Sequence, residues 1–292
     1  MSTGLDQKLK EHVQYLAGDI GERNVYNPST LDNAAKYIES ELAGMGYAVN
    51  RQTYEAKGVE CSNLEVVLPG QQWPNETIVV GAHYDTVAGS PGADDNASAV
   101  AALIEIARGL KDHKPGRTIK LVAFVNEEQP FFFWGDMGSQ VYAVAARKRK
   151  EDILLMISLE MLGYYRDEPG SQHYPALFEN FHPDTANFIA FVSNINSFFA
   201  LRRAAKAFRH HSDFPLETTS TFGWIPGVSA SDHQSFWRQG YRAMMCTDTA
   251  FFRNPNYHKP EDTPDTLDYP RLEKVTSGLV EMCKELSNCR DF

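Results

Sequence analysis

Three apolar runs in this chain end in the same way. Residues 78–82 lead into His83 and Asp85, residues 119–125 into Asn126-Glu-Glu128, and residues 153–159 into Glu160. Runs this short and this apolar read as buried strands with both faces covered. Helical spacing lies between them: Val100, Leu103, Ile104 and Ala107 share one face, and residues 138–149 form a basic-ended helix. Strands alternating with helices predict a mostly parallel or mixed sheet with helices on both sides. In such sheets the functional crevice lies at the carboxyl ends of the strands, which is where these His, Asp and Glu side chains gather.

The rest of the chain extends the pattern. Leu5, Leu9, Val13 and Leu16 predict an opening helix, and residues 21–28 a polar loop. Leu31, Ala35, Ile38 and Leu42 mark a second helix that Gly44 and Gly46 end. Residues 47–54 alternate like a half-exposed strand, and residues 64–68 form another, closed by Pro69-Gly70. Residues 163–185, rich in Tyr, Pro, His and Asp, read as an irregular insertion of the kind found over a site. A strand at 188–192, a helix at 198–210, a late strand at 241–246 and a last helix carrying Leu272, Val275, Leu279, Met282 and Leu286 follow. No linker, repeat or low-complexity tract interrupts residues 1–292. The expectation is a single-domain, three-layer α/β/α fold around a central mixed, mostly parallel sheet.

Composition narrows the partners. Of 292 residues 42% are hydrophobic, ample for a large core, and the formal charge is -10. That balance disfavours nucleic acid and anionic membranes, and no run approaches the length needed to cross a bilayer. The first residues lack the basic-then-apolar pattern of a signal peptide, so a soluble, cytoplasmic protein is expected; a trimmed secreted protein would look the same. Cys61, Cys246, Cys283 and Cys289 show no zinc-ligand spacing and read as buried thiols, although Cys283 and Cys289 are close enough in sequence to pair.

Side chains two apart on a strand share a face, so His83 and Asp85 point the same way. A metal-bound imidazole usually gives its other ring N–H to a carboxylate. His83 therefore reads as a ligand, Asp85 as its partner, and Asp94 or Asp95 as the next ligand. A buried carboxylate cluster is strongly unfavourable without positive charge. No Lys or Arg lies beside these positions in sequence, so a divalent metal is the natural counter-charge. For a second histidine, His258 in a turn-rich loop (residues 253–265) is the best candidate. His233, in Ser231-Asp-His-Gln-Ser-Phe-Trp237, is the rival, but its setting is that of a helix start, and it reads as a packing residue or one that supports a ligand from behind.

These pieces resemble the co-catalytic zinc aminopeptidases, the group that also contains glutamate carboxypeptidases and glutaminyl cyclases. The matching motifs are Gly81-Ala-His-Tyr-Asp-Thr86, Pro91-Gly-Ala-Asp-Asp-Asn-Ala-Ser98, Asn126-Glu-Glu128, Leu159-Glu-Met-Leu-Gly163 and Asn256-Tyr-His258, in the family's order. The resemblance implies two Zn2+ per chain, one on His83, Asp95 and Glu160, the other on Asp95, Glu128 and His258. It makes Asp95 the bridging carboxylate, Glu127 the general base and Asp85 the partner of His83, and it implies a cis peptide between Asp95 and Asn96. The implied substrate is a peptide with a free N-terminus, and the implied reaction is release of its first residue.

The chemistry suits that division. Glu127 and Glu128 are adjacent and cannot present the same face to one ion, which fits one ligand and one base. Tyr257 could donate to the developing oxyanion, and Glu160 could also hold a substrate ammonium. In two departures from the family, Glu160 stands where Asp is frequent, and the stretch from Glu128 to Gly138 is long and carries Phe131-Phe-Phe-Trp134. Phe132 and Trp134 are expected either to pack in the core or to line a pocket for an apolar side chain. The competing readings are a single-zinc glutaminyl cyclase-type acyltransferase, a carboxypeptidase or dipeptidase, and a non-catalytic binding module. A carboxypeptidase would want basic residues near the site, for which Arg166 and Arg253 are the candidates.

Overall fold

The apolar run at 78–82 lies within strand β3 (Trp73–His83), near the middle of an eight-stranded sheet. The computed structural model describes residues 4–133, 135–175 and 178–290. The other strands are β1 (Asn50–Ala56), β2 (Val59–Leu68), β4 (Arg117–Phe124), β5 (Asp152–Glu160), β6 (Ile189–Asn194), β7 (Leu216–Thr221) and β8 (Ala243–Thr247). Their order across the sheet is β1-β2-β4-β3-β5-β8-β6-β7. The β4-β3, β3-β5, β5-β8 and β6-β7 pairings are parallel, while β1-β2, β2-β4 and β8-β6 are antiparallel. The sheet is mixed and mostly parallel, as the apolar runs predict.

The helices are α1 (Leu5–Val13), α2 (Pro28–Gly44), α3 (Ala99–Leu110), α4 (Gly138–Lys148), α5 (Phe198–His211), α6 (His233–Arg238) and α7 (Tyr269–Asn288). Alternate residues of the central strands feed two cores. Ile78, Val80, Ala82, Leu121 and Ala123 join α1, α2, α3, α5 and α7 in the larger one. Val79, Val122 and Phe124 join α4 and α6 in the smaller one on the opposite face. Three layers result.

Two elements differ from expectation. The β1-β2 hairpin is longer and shifted, turning at Lys57 and Gly58, which both have positive φ (51° and 76°). That is the geometry of a two-residue hairpin turn matched to strand twist; residues 47–49 precede the ladder. Strand β7, Leu-Glu-Thr-Thr-Ser-Thr, carries almost no apolar signal because it is an edge strand with one pairing partner. Its β-branched threonines suit a pleated, half-buried surface. Cys61, Cys246 and Cys283 are buried free thiols, as read from the sequence, whereas Cys289, near the end of the chain, is only partly buried. No helix among the described residues is long and apolar enough to cross a membrane.

Candidate metal centre

The strand ends meet where the sheet order places them. β4, β3 and β5 are neighbours, so the loops leaving them share one rim. After β4 the chain bends through Asn126 (φ 61°), and the backbone N–H groups of Glu127 and Glu128 donate to the two Asp85 carboxylate oxygens at 3.0 and 3.1 Å. The Asp85 carboxylate lies 3.6 Å from His83 Nδ1, whereas the Asp85 backbone carbonyl is closer, at 3.2 Å. The expected partner of His83 is thus beside it, yet its hydrogen bonds secure the double-glutamate turn.

The loop from Gly92 to Ser98 is tied down from three sides. The Asp95–Asn96 peptide is cis, as the resemblance implies. Asp262 accepts from the N–H groups of Asp94 and Asp95 at 2.9 and 3.1 Å. Asn96 donates to the Leu159 carbonyl and accepts from Met161 N–H. Asp94 accepts from Gly163 N–H and from the Asn254 side chain, so of the two adjacent aspartates it is Asp94 that is consumed in holding loops together. Gly92 has φ 61°, and a Cβ there would fall 2.2 Å from the Asp95 carbonyl oxygen, so no other residue fits. Beneath the loop Arg23, fully buried, donates to the carbonyls of Leu16, Gly21, Tyr84, Pro91 and Gly92 at 2.7–3.0 Å.

These supports bring six side chains together. His83 Nε2 lies 3.3 Å from Asp95 Oδ1, 3.4 Å from Glu160 Oε2 and 4.0 Å from Glu127 Oε2. His258 Nε2 lies 3.2 Å from Asp95 Oδ2 and 3.2 Å from Glu128 Oε1. Two donor triads follow, His83-Asp95-Glu160 and Asp95-Glu128-His258, each with its ligand atoms within 4.8 Å of one another. His83 Nε2, Asp95 Oδ1 and Glu128 Oε1 are buried with no hydrogen-bond partner. Among the described residues no Lys or Arg forms an ion pair with Asp95, Glu127, Glu128 or Glu160. Buried, orphaned nitrogen and oxygen atoms converging on two points are what a pair of N/O-ligated divalent ions would satisfy. The residues fit zinc.

The electrostatics describe a site built for extra positive charge. Burial raises the Glu127 carboxyl well above its usual range, and neighbouring Glu160 and Glu128 add to the rise while His83 opposes it. Burial, with Asp95 nearby, takes Glu128 to about 7. Burial alone would raise Asp95, but the flanking imidazoles of His258 and His83 hold it below the usual carboxylate range. Burial keeps the Tyr257 phenol protonated far above its ordinary value, reinforced by Asp95 and Glu128, and its ring stacks on His258 with centroids 3.7 Å apart.

Sequence reasoning did not single out Asp232. It is fully buried, both of its carboxylate oxygens lack a partner, and burial takes it to about 7 while His83 favours its charged form. The only signal was the Ser231-Asp232 pair before a helix; Ser231 itself donates to Glu160 at 2.8 Å. His233 starts α6, contacts the Val228 carbonyl at 2.8 Å and stands edge-on to Trp237, a packing role as read. Of the aromatic loop, Phe131 is buried in the larger core and Phe133 is exposed; Trp134 lies outside the described residues. An open pocket lies beside Glu160 and Tyr257, and its described lining contains none of Phe131, Phe132 or Phe133. The pocket is built instead from the insertion, the 225–230 loop and the face of β6, β7 and β8.

The family model for peptidase family M28 matches residues 63–283. The chain belongs to peptidase family M28, and it is an enzyme of the zinc metallopeptidase class. It is 37% identical over 285 residues to the uncharacterized protein YfbL of Escherichia coli K12, covering 94% of this chain and 87% of that one. It is 24% identical over 301 residues to leucine aminopeptidase 1 of Metarhizium robertsii, covering 96% and 68%. Among solved structures, a zinc aminopeptidase from Bacillus subtilis superposes with TM-score 0.77 at 15% identity, covering 98% of this chain and 96% of that one. A glutaminyl cyclase from Bacteroides thetaiotaomicron superposes with TM-score 0.68 at 21% identity, covering 95% and 96%. At these identities the structural likeness is one of fold.

Proposed function

We propose that this chain is an aminopeptidase that uses two zinc ions to release the first residue of a peptide with a free N-terminus. The observation that carries this reading is the pair of donor triads sharing Asp95, with Glu127 beside both and claimed by neither. His83, Asp95 and Glu160 would hold one ion, and Asp95, Glu128 and His258 the other. Zinc bound there supplies Lewis-acid polarisation and brings the pKa of water toward neutrality.

The chain's own groups do the rest. Glu127, raised by burial, accepts the proton of the attacking water and delivers it to the leaving amine. Asp85 keeps the Glu127 carboxylate aimed by gripping its backbone N–H. The Tyr257 hydroxyl, held protonated, donates to the developing oxyanion. Glu160 offers a carboxylate to the substrate ammonium.

A carboxypeptidase is less well supported. Arg253 is buried, donating to the Gln172 side chain and the Phe188 carbonyl, Arg166 stacks on Tyr164, and neither lines the cavity. The complete second triad supports two ions and hydrolysis over a single-zinc cyclase reaction. The test compares aminoacyl with N-acetylated aminoacyl substrates while bound zinc is counted by elemental analysis. Hydrolysis confined to unblocked substrates, lost to a chelator and restored with two zinc ions per chain, is expected. Equal hydrolysis of blocked peptides, or full activity with one ion, would reject the proposal.

A further inference from the structure

The cavity beside Glu160 has a length that the strand register sets. Glu160 on β5 pairs with Thr247 on β8, Thr247 with Ala190 on β6, and Ala190 with Glu217 on β7. Paired residues share a face of the sheet, and all four line the cavity. Three strand spacings of roughly 4.8 Å separate the Glu160 and Glu217 backbones by about 14 Å. Between them the floor is mostly small or apolar, with Ala190, Val192 and Met245, and Thr247 beside Glu160.

The far end is polar. His182 Nδ1 lies 3.0 Å from Glu217 Oε2, and its Nε2 lies 3.2 Å from Thr219 Oγ1. Tyr174 and Phe178 stack on its ring with centroids at 5.5 and 6.2 Å. With the ring proton on Nδ1, His182 donates to Glu217 and Nε2 accepts from the Thr219 hydroxyl. The Glu217 carboxylate stands at the far end of the corridor with His182 on Oε2, and its other oxygen makes no hydrogen bond among the described residues. No Lys or Arg is among the described residues that line it, and His182 is the only ion-pair contact of Glu217 among the described residues.

We propose that Glu217, positioned by His182 and Thr219, is a specificity-determining residue that selects N-terminal Arg and Lys. This rests on the aminopeptidase reading above. With the reacting carbonyl at the metal centre, a Leu side chain extends only about 4 Å from its Cα, whereas Arg extends roughly 7 Å. The longer side chain lays its methylenes on the apolar floor and brings its charge to the free Glu217 oxygen.

The test measures kcat/KM for Arg-, Lys-, norleucyl-, Leu- and Phe-amidomethylcoumarin on the zinc-loaded enzyme, on Glu217→Gln and on Glu217→Lys. Wild-type enzyme is expected to favour Arg and Lys over norleucine at least tenfold, the ratio one charge-assisted hydrogen bond supplies. Glu217→Gln should collapse the Arg-to-norleucine ratio at least tenfold, and Glu217→Lys should invert it. A wild-type preference for Leu or Phe, or an equal fall on every substrate in both variants, would overturn the assignment while leaving the aminopeptidase reading intact. Failure to hydrolyse any unblocked substrate would sink both.

Discussion

Asp85 holds the backbone of Glu127 by a 3.0 Å hydrogen bond to one carboxylate oxygen, while the other oxygen holds the next residue along. One side chain thus sets the direction of the proposed base and of its neighbouring ligand together. That explains why two adjacent glutamates can serve different ends of one site. Their shared anchor lies just past the end of the neighbouring strand β3, and each side chain leaves the turn toward its own target.

Replacing Asp85 by Asn sets an NH2 group against a backbone N–H, donor facing donor. Such a change in a group that orients a metal site typically costs about 10–100-fold. Asp85→Asn is expected to lower kcat by that amount while zinc content falls less. Parallel kinetics and elemental analysis read both effects, and a normal kcat would remove Asp85 from the positioning role.

Glu127→Gln keeps the shape and removes the basic oxygen. Loss of a general base costs about 10²–10⁴-fold in rate, and both zinc ions should remain. If instead metal is lost and residual turnover survives with added zinc, the roles given to Glu127 and Glu128 are exchanged.

Arg23 serves five carbonyls, of which only those of Leu16 and Gly92 also accept from a backbone N–H, of Gly21 and Ala97, among the described residues. Its guanidinium is pulled down to about 10 by burial, with Asp85, Asp262 and Asp95 opposing that fall. Arg23→Met leaves buried carbonyls unpaired and should destabilise the fold by roughly 3–5 kcal/mol. Arg23→Lys should recover little, because one ammonium cannot span the fork. Denaturant midpoints of the two variants check the ranking.

A pH effect away from the metal centre follows from Glu105 on α3. Burial alone would raise its carboxyl, but His12 at 3.0 Å and Arg108 at 2.9 Å outweigh that and hold it below its ordinary value of 4.5. A folded-state pKa lower than the unfolded one stabilises at pH above the unfolded value and is lost as pH falls through the folded value. Wild-type stability should therefore fall with acid below about pH 4.5 more steeply than that of Glu105→Gln. Urea unfolding from pH 6 to pH 3 measures the two slopes, and parallel slopes would contradict it.

The parts of the fold and site legible in the sequence are those carried by local pattern. β3, β4 and β5 announce themselves because a buried strand must be apolar, and each ends in the residues the rim assembles. What stayed hidden was long-range. Arg23 looked like an ordinary loop cation, since its five acceptors come from segments up to 69 residues away. Asp262 looked like a turn residue until its carboxylate met the Asp94 and Asp95 amides. Strand β7 lacked an apolar stripe because an edge position does not require one. The aromatic loop drew attention by composition, yet the cavity is lined by rings from other segments, whose convergence depends on the sheet order.

That sheet order separates two tasks on one scaffold. The ends of β3, β4 and β5, with the 92–98 and 254–258 loops, carry the donor triads, while β8, β6 and β7 carry the cavity floor. A change on the second set can alter what enters without displacing a single donor atom on the first. Descendants of such a chain can therefore diverge in diet while inheriting the same reaction. Adjacent strands divide what is preserved from what is free to drift.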